Sequence, residues 1–192
     1  AEVQDFKKSS GKITAIRTDQ GEFECDNAVV TSGIWSKPLM KRLGLSVPLE
    51  AERGYHVVYK NASILPKNPM LAAGKFGITP MGGNLRCAGT VELGGIEYGP
   101  SKRPIALIKS FVKDAFPELH YDGTEEWMGF RPSTTDSLPL IGQIAQSGIY
   151  TAFGHQHIGL TSGPKSGRMI ADMIDGRVSN SDTSAFDPAR FM

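Results

Sequence analysis

The chain has 192 residues, which is enough for one or two domains with a packed core. Its hydrophobic fraction of 40% and charged fraction of 21% are those of an ordinary globular protein, and no run approaches the roughly 18 apolar residues of a membrane span. The formal net charge of +1 argues against nucleic-acid binding, which goes with a marked basic patch.

The N-terminal region predicts short strands followed by a helix. Residues 12–18 and 22–25 alternate apolar and polar side chains, as strands with one buried face do. Residues 28–31 form a short apolar run before Gly33, which is typical of a buried parallel strand. A short helix capped by Ser36 comes next.

The sequence changes character between residues 47 and 99, where Pro, Gly and Asn separate strand-like pieces. Residues 81–84, Met-Gly-Gly-Asn, suit a hairpin turn. An antiparallel sheet is therefore predicted here. The strand-like pieces are residues 57–59, 70–73, 76–79 and 85–91.

The next region predicts a helix and two further strands. Ser101 caps the helix, its apolar residues recur with helical spacing, and Pro117 ends it. Residues 125–131 and 149–153 are the strands.

The end of the chain predicts a last helix and a tail. This helix begins near Ser162 or Gly163, with Pro164 just inside, and ends at Gly176. The tail, residues 179–192, is polar, and we expect it to be loosely ordered.

One region concentrates glycines, an arginine and two histidines shortly before the predicted last helix. A helix N-terminus carries unpaired N–H groups and roughly half a positive charge. Glycines let a flat or anionic ligand approach that backbone closely. The region is therefore suited to hold an electron-rich group. It consists of residues 129–132 (Gly-Phe-Arg-Pro), 135–139 (Thr-Asp-Ser-Leu-Pro) and 154–161 (Gly-His-Gln-His-Ile-Gly-Leu-Thr).

These motifs resemble the C-terminal part of flavin-dependent D-amino-acid oxidases and dehydrogenases: G-F-R-P, T-D-S-L-P-L-I-G and G-H-x-H-x-G-L-T-S-G-P-x-S-G. The resemblance runs from about Gly11 to about Gly176. Members of that family open with a G-x-G-x-x-G turn that holds the ADP part of FAD. The first 30 residues here contain only the glycines Gly11 and Gly21, so the resemblance implies the C-terminal portion of a longer enzyme.

The resemblance implies a mixed fold, α+β to α/β. One part is an antiparallel-sheet substrate-binding domain with flanking helices. The other is the C-terminal part of a Rossmann-like FAD-binding domain, whose N-terminal G-x-G-x-x-G half is missing. The predicted domains are 1–45 (partial FAD-binding), 46–130 (substrate-binding), 131–178 (return to FAD-binding) and 179–192 (tail).

Four side chains are candidates for substrate contact. In the family, the arginine of the G-x-R-P motif, here Arg131, grips the substrate carboxylate through paired charged hydrogen bonds. An ion pair with a residue such as Asp136 is the alternative. Tyr55 and His56 lie where related enzymes floor the substrate pocket, although Tyr55 also suits a half-buried structural position. The resemblance implies that His157 can reach the substrate or the flavin, and hydrogen bonding to loop backbone is the alternative.

FAD is the predicted cofactor, bound non-covalently and not retained by this portion alone. N–H groups before the last helix would stabilise negative charge on the flavin, with an ordinary glycine-rich cap as the alternative. The two histidines lack a third ligand, so a metal is rejected, and Cys25 and Cys87 are predicted to be reduced. The predicted cofactor contacts are Gly33, Trp35, Gly129, Asp136, Gly142, Gly154, His155, Gly159, Leu160 and Thr161.

The resemblance implies oxidation of the Cα–N bond of a D-amino acid, or of a related amino or imino acid, by hydride transfer to FAD. Oxygen, a quinone or a carrier would accept the electrons, and we expect this portion alone to be inactive. The alternatives are a relative that acts on sarcosine, glycine or hydroxyproline, and a non-catalytic subunit or scaffold of the same fold. A cytoplasmic location is expected, and peripheral membrane association of the complete enzyme stays open.

Overall fold

The structure, a computed structural model, describes residues 1–67, 70–71 and 74–191, with only the backbone described at 70–71. In this part of the chain, eleven strands form three sheets alongside three α-helices. The helices are α1 (Ser36–Arg42), α2 (Lys102–Ala115) and α3 (Gly159–Ile174). The strands are β1 (Val3–Ser9), β2 (Lys12–Thr18), β3 (Gly21–Glu24), β4 (Ala28–Val30), β5 (Leu49–Lys60), β6 (Met70–Leu71), β7 (Phe76–Met81), β8 (Asn84–Leu93), β9 (Gly123–Thr134), β10 (Leu140–Ile144) and β11 (Ile149–Phe153).

The chain divides into two compact units. Unit 1 comprises residues 1–50 and 131–192, and unit 2 comprises residues 51–130, so unit 2 is inserted into the sequence of unit 1. The functional names predicted for these regions, FAD-binding and substrate-binding, remain predictions. No helix among the described residues is long and apolar enough to cross a membrane. The predicted strand at 70–73 lies partly outside the described residues.

Unit 2 contains most of a five-stranded sheet with the order β6-β7-β8-β5-β9. The apolar residues Ile105, Ile108 and Val112 recur on one face of α2, and this face is buried against the sheet. The predicted hairpin is present, since β7 and β8 are joined through Gly82 and Gly83. Both glycines have positive φ, as a two-residue hairpin turn requires.

Unit 1 contains an antiparallel sheet with the order β1-β2-β3 and a second sheet with the order β10-β11-β4. In the second sheet, β11 pairs antiparallel with β10 and parallel with β4, with Ala28 opposite Ile149. Helix α3 packs on β10 and β11 through a buried apolar cluster. Its members are Ile141, Tyr150, Met169 and Ile170.

The sequence patterns do not predict β1 and β10. Strand β1 is largely polar, and its pairing along β2 rather than apolar alternation explains its place. Strand β10 contains Gly142 and is linked to β11 by a tight turn, in which the Ser147 hydroxyl donates to the Ile144 carbonyl at 2.6 Å. Strand β4 is parallel as predicted but is not fully buried, because Val29 is exposed.

Two details of the helices differ from the predictions. Helix α3 begins at Gly159, earlier than predicted, because the Ser162 N–H already donates to the Ile158 carbonyl at 2.9 Å. Pro164 therefore lies inside a helix that has already formed, rather than at its start. Ser36 is the first residue of α1 and not its cap, and no side-chain cap bond forms there.

The prediction of a loosely ordered tail is wrong for the described residues. Two short 3-10 turns form near the C-terminus, and Pro188 is buried. The Arg190 guanidinium donates to the Asp136 carboxylate at 2.7 Å and to the Leu138 carbonyl at 2.8 Å. Polar composition indicates exposure, but specific charged hydrogen bonds hold this tail against the rest of unit 1.

The substitution Gly142→Ala tests the packing of the tail. A Cβ atom on Gly142 would lie 2.7 Å from the Cδ of Pro188. We expect the free energy of unfolding to fall by about 1–3 kcal/mol, because the tail must shift. Gly167→Ala is the matched control, since no neighbouring described atom lies within 4 Å of its added Cβ. We expect this change within α3 to stabilise by about 0.5–1 kcal/mol, and equal effects in urea denaturation would contradict the packing.

Candidate functional site

The parallel strands β4 and β11 end side by side, and predicted site residues follow both of them. Their carboxyl ends lie at the same edge of the sheet because both strands run in the same direction. Strand β4 leads into the Gly33–Trp35 turn, and β11 leads into Gly154 and His155. In open α/β sheets, ligands bind outside the carboxyl ends of the strands. This edge of unit 1 is therefore the candidate site.

Pro132 joins the two segments. A Cβ atom on Gly33 would lie 3.9 Å from the Cγ of Pro132, and the Gln156 N–H donates to the Pro132 carbonyl at 3.3 Å. The side-chain amide of Gln156 also donates to the Thr134 carbonyl at 3.4 Å. Arg131, whose Nη1 atom is buried, directly precedes Pro132 in the chain. The structure thus brings the Arg131 segment to the edge where β4 and β11 end.

Two glycines of the site are required by the backbone itself. Gly33 has φ +58° and Gly154 has φ +85°, both in the left-handed region that favours glycine. Gly154 is also crowded, because an added Cβ would lie 3.2 Å from the Cγ2 of Thr134. Both turns therefore need glycine independently of any ligand.

The residues Gly159, Leu160 and Thr161 form the first turn of α3 rather than a turn before it. The first N–H groups of a helix lack partners within the helix and carry its partial positive charge. The side chain of Leu160 is 95% exposed, and Ile158 just before the helix is exposed as well. This combination suits a ligand that has both a flat apolar surface and an electron-rich edge.

The ring of His155 is held by a side chain of the last helix. Its Nε2 atom lies 2.8 Å from the hydroxyl oxygen of Ser166 on α3. The ring is half-buried, and this burial lowers the pKa of His155 from its usual value. The imidazole is therefore held neutral at physiological pH.

Three predicted cofactor contacts are occupied by other parts of the protein. The pairs are Asp136 with Arg190, Gly142 with Pro188, and Gly129 with Trp127. Although burial opposes ionisation, hydrogen bonds from Arg190 and from backbone hold the pKa of Asp136 below its usual range. A Cβ on Gly129 would lie 2.0 Å from the indole of Trp127. These are their neighbours within the protein, and their contacts with the cofactor stay predictions.

Tyr55 lies in the interior of unit 2 and is 1% exposed. Its hydroxyl donates to the Glu92 carboxylate and accepts the N–H of Ser101 at 3.2 Å. Arg53 is buried beside it, 3.5 Å from the same carboxylate, and donates to the Gly94 carbonyl at 2.7 Å. The cluster anchors the segment that follows β8. The structure therefore places Tyr55 in this buried polar cluster, and its contact with the substrate stays a prediction.

His56 lies on the opposite face of β5 from Tyr55, because successive strand residues alternate. Its ring stacks on Trp127, with centroids 4.8 Å apart and planes inclined by 18°. The Arg86 Nη2 atom lies 3.2 Å from the Nδ1 atom of His56, and a guanidinium can only donate, so Nδ1 accepts. Burial and the Arg86 charge both lower the pKa of His56. A neutral imidazole therefore supports an indole that is 54% exposed.

His157, the possible metal ligands and the two cysteines are the remaining residues considered in the sequence. His157 is exposed. Among the described residues, no three of the His, Cys, Asp and Glu side chains are grouped to hold a metal ion. Cys25 and Cys87 form no disulfide, and burial raises the pKa of Cys87 to about 12, which makes its thiol a poor nucleophile.

The family described as FAD dependent oxidoreductase, DAO, matches residues 1–173. The chain belongs to this family. It is 36% identical to the D-amino-acid oxidase of Bradyrhizobium diazoefficiens, over 100% of this chain and 47% of that protein. It is 33% identical to the D-amino acid dehydrogenase of Vibrio atlanticus, over 93% of this chain and 44% of that protein.

The fold is also that of a solved DAO-type structure. The crystal structure of glycine oxidase from Geobacillus kaustophilus superposes with a TM-score of 0.83 at 24% identity, over 100% of this chain and 52% of that one. The predicted fold class, an antiparallel-sheet part with part of an FAD-binding fold, is confirmed. The chain spans about half the length of the relatives it matches.

Sequence reasoning missed Gln156, Ser166 and Trp127. Gln156 stands between two histidines and links the loop to Pro132, which no local pattern indicates. Ser166 could have been found from the sequence, because it is a polar residue three positions before Met169 and therefore on the apolar face of the last helix. A buried hydroxyl at such a position needs a hydrogen-bond partner. Trp127 and Gly129 lie two positions apart on β9 and so share one face of the strand. Because Gly129 has no side chain, the indole of Trp127 can lie over it.

His56 should titrate at low pH. We expect NMR titration of its ring protons to give a pKa below 6.5, the usual value, because burial and Arg86 both disfavour the imidazolium. The unfolded chain then binds more protons, so this residue lowers stability as pH falls below about 6.5 and leaves it unchanged above. Arg86→Met removes the charge but not the burial, so the pKa of His56 should rise part of the way. A parental His56 pKa of 6.5 or above would exclude this environment.

Proposed function

We propose that the chain is the part of an FAD-dependent D-amino-acid oxidoreductase that faces the flavin ring and grips the substrate. The observation that carries the proposal is the meeting of Gly33, Pro132 and Gln156 at the carboxyl edge of β4 and β11. Membership of the DAO family of FAD-dependent oxidoreductases supports FAD as the cofactor. The Bradyrhizobium relative is a D-amino-acid oxidase and the Vibrio relative is a D-amino acid dehydrogenase, which supports the reaction class.

The residues at this edge fit a flavin. The first turn of α3 offers N–H groups and partial positive charge to an electron-rich ring edge, and Leu160 offers an exposed apolar side chain. Trp35, also exposed, follows β4 at the same edge. When bound, FAD supplies the two-electron acceptor for oxidation of the substrate Cα–N bond. We expect this chain alone to hold FAD weakly, since it shows no glycine turn of the dinucleotide-binding type near its start.

The proposed role of Arg131 is to bind the substrate carboxylate. A guanidinium forms two parallel hydrogen bonds with a carboxylate, which fixes both position and orientation. The hydrogen bond between Gln156 and the carbonyl of Pro132 anchors the backbone that carries Arg131. Positioning of this kind is the main protein contribution when the substrate amine reacts in its neutral form. A neutral His155 adds no positive charge that would oppose binding of an ammonium or amine.

Anaerobic reduction of the flavin in the complete protein tests the function. We expect D-amino acids to bleach the oxidised flavin absorbance in stopped-flow mixing. Bleaching by glycine, sarcosine or hydroxyproline alone would assign the other substrate classes, and a complete protein that binds no FAD would be a non-catalytic scaffold. Re-oxidation of the reduced protein by oxygen or by a quinone then identifies the electron acceptor.

Arg131→Lys should separate a substrate contact from a structural arginine. Lysine keeps the charge but loses the paired geometry, and hydrogen bonds to charged groups are worth roughly 1.5–3 kcal/mol. We expect kcat/KM of the complete protein to fall about ten- to a hundred-fold. Arg168→Lys is the control, because Arg168 is a largely exposed residue of α3 that pairs with Asp172 at 3.0 Å. Equal kinetics in the two variants would make Arg131 structural.

A further inference from the structure

Ser166 places a hydroxyl group on the buried face of α3. Ser166 is only 4% exposed, and it lies on the helix face from which Met169 and Ile170 pack against the sheet. Its oxygen lies 2.8 Å from the Nε2 atom of His155 and 3.1 Å from the carbonyl oxygen of Ser162. Buried hydroxyls need hydrogen-bond partners, and this one has two.

The hydrogen atoms of this group can be assigned by counting. A serine hydroxyl has one proton to donate, and a carbonyl oxygen can only accept. When Ser166 donates to the Ser162 carbonyl, its oxygen can still accept a hydrogen bond from the Nε2–H of His155, and both hydrogen bonds form. When Ser166 donates to Nε2 instead, the interaction with the Ser162 carbonyl is lost. The first arrangement makes the most hydrogen bonds and puts the ring proton on Nε2.

His155 is also held on its backbone side. The Ile158 N–H donates to the His155 carbonyl at 3.1 Å, which closes the loop on itself. A Cβ atom on Gly159 would lie only 3.3 Å from the Cβ of His155, so the histidine packs closely on the first residue of α3. Within the described part of the chain, Ser166 alone bonds the His155 ring, so Nδ1 keeps its lone pair.

We propose that Ser166 is a positioning residue that fixes the Nε2–H tautomer of His155 and pins the loop of residues 154–158 to α3. The ring then presents Nδ1 as a neutral hydrogen-bond acceptor, which suits an N–H or O–H donor of a bound ligand. That this ligand is the flavin cofactor rests on the function proposed above. The tautomer and the pinned loop do not, since they follow from contacts within unit 1.

The first test needs no cofactor. Nitrogen-15 NMR of the chain at pH 8 should show His155 in the Nε2–H form, with a ring N–H proton protected from solvent exchange. Ser166→Ala should abolish that protection, and Ser166→Thr, which restores a hydroxyl, should recover it. Ser162→Ala is the matched control, because the Ser162 hydroxyl bonds the Ile158 carbonyl at 2.9 Å and should leave His155 unchanged. A proton on Nδ1 in the parent chain, or protection that survives Ser166→Ala, would overturn the assignment.

The second test asks whether the positioning matters for cofactor binding. In the complete protein, Ser166→Ala should raise the dissociation constant for FAD by about three- to ten-fold, the effect of losing one neutral hydrogen bond. Ser166→Thr should recover most of the affinity, and Ser162→Ala should not change it. Unchanged affinity in Ser166→Ala would remove the link between His155 and the cofactor. Absence of FAD binding by the complete parent would instead reject the proposed function, while the NMR result stands.

Discussion

The parallel pairing of β4 with β11 is the constraint on which unit 1 depends. It joins two stretches that are distant in the sequence and aligns their carboxyl ends, so that Gly33 and Gly154 open turns at one edge. The turn before β11 strengthens the junction. The Ala28 N–H donates to the Gly148 carbonyl at 2.9 Å, and the Ile13 N–H donates to the Ser147 carbonyl at 2.8 Å. One short turn thereby connects both sheets of unit 1, and the candidate site inherits its geometry from that junction.

Elements with strong periodicity were predictable. The apolar face of α2 and the hairpin through Gly82 and Gly83 follow from local spacing and turn chemistry, and both are present. Strand β1 and the C-terminal tail were not predictable in this way. Strand β1 is largely polar and is held by its hairpin pairing with β2, from Ser9 opposite Lys12 to Val3 opposite Thr18. The place of the tail depends on the ion pair between Arg190 and Asp136, two residues far apart in the sequence. Local patterns carry no information about such partners.

The residues of the candidate site also differ in how much the sequence says about their neighbours. The motif region contains the segments of Arg131 and His155, and the structure places them side by side through the hydrogen bond from the Gln156 N–H to the Pro132 carbonyl. For Tyr55 and Gly129, the sequence does not indicate which group lies against them. A buried tyrosine and an empty glycine position look the same in sequence whether a ligand or a neighbouring side chain fills the space, and here Glu92 and Trp127 do so. Only tertiary packing separates the two.

The insertion of unit 2 within unit 1 has a consequence for how the chain is made. Synthesis runs from the N-terminus, so β4 leaves the ribosome long before β11 exists, and the whole of unit 2 appears between them. Until β11 arrives, the edge of β4 that pairs with β11 in the folded chain is unpaired. Unit 2 brings its own core and can close first, whereas unit 1 must wait for a long-range contact that is intrinsically slow to form. We therefore expect the nascent polypeptide to pass through a stage in which unit 2 is folded and unit 1 is still incomplete. Chaperones would act on the polypeptide at that stage.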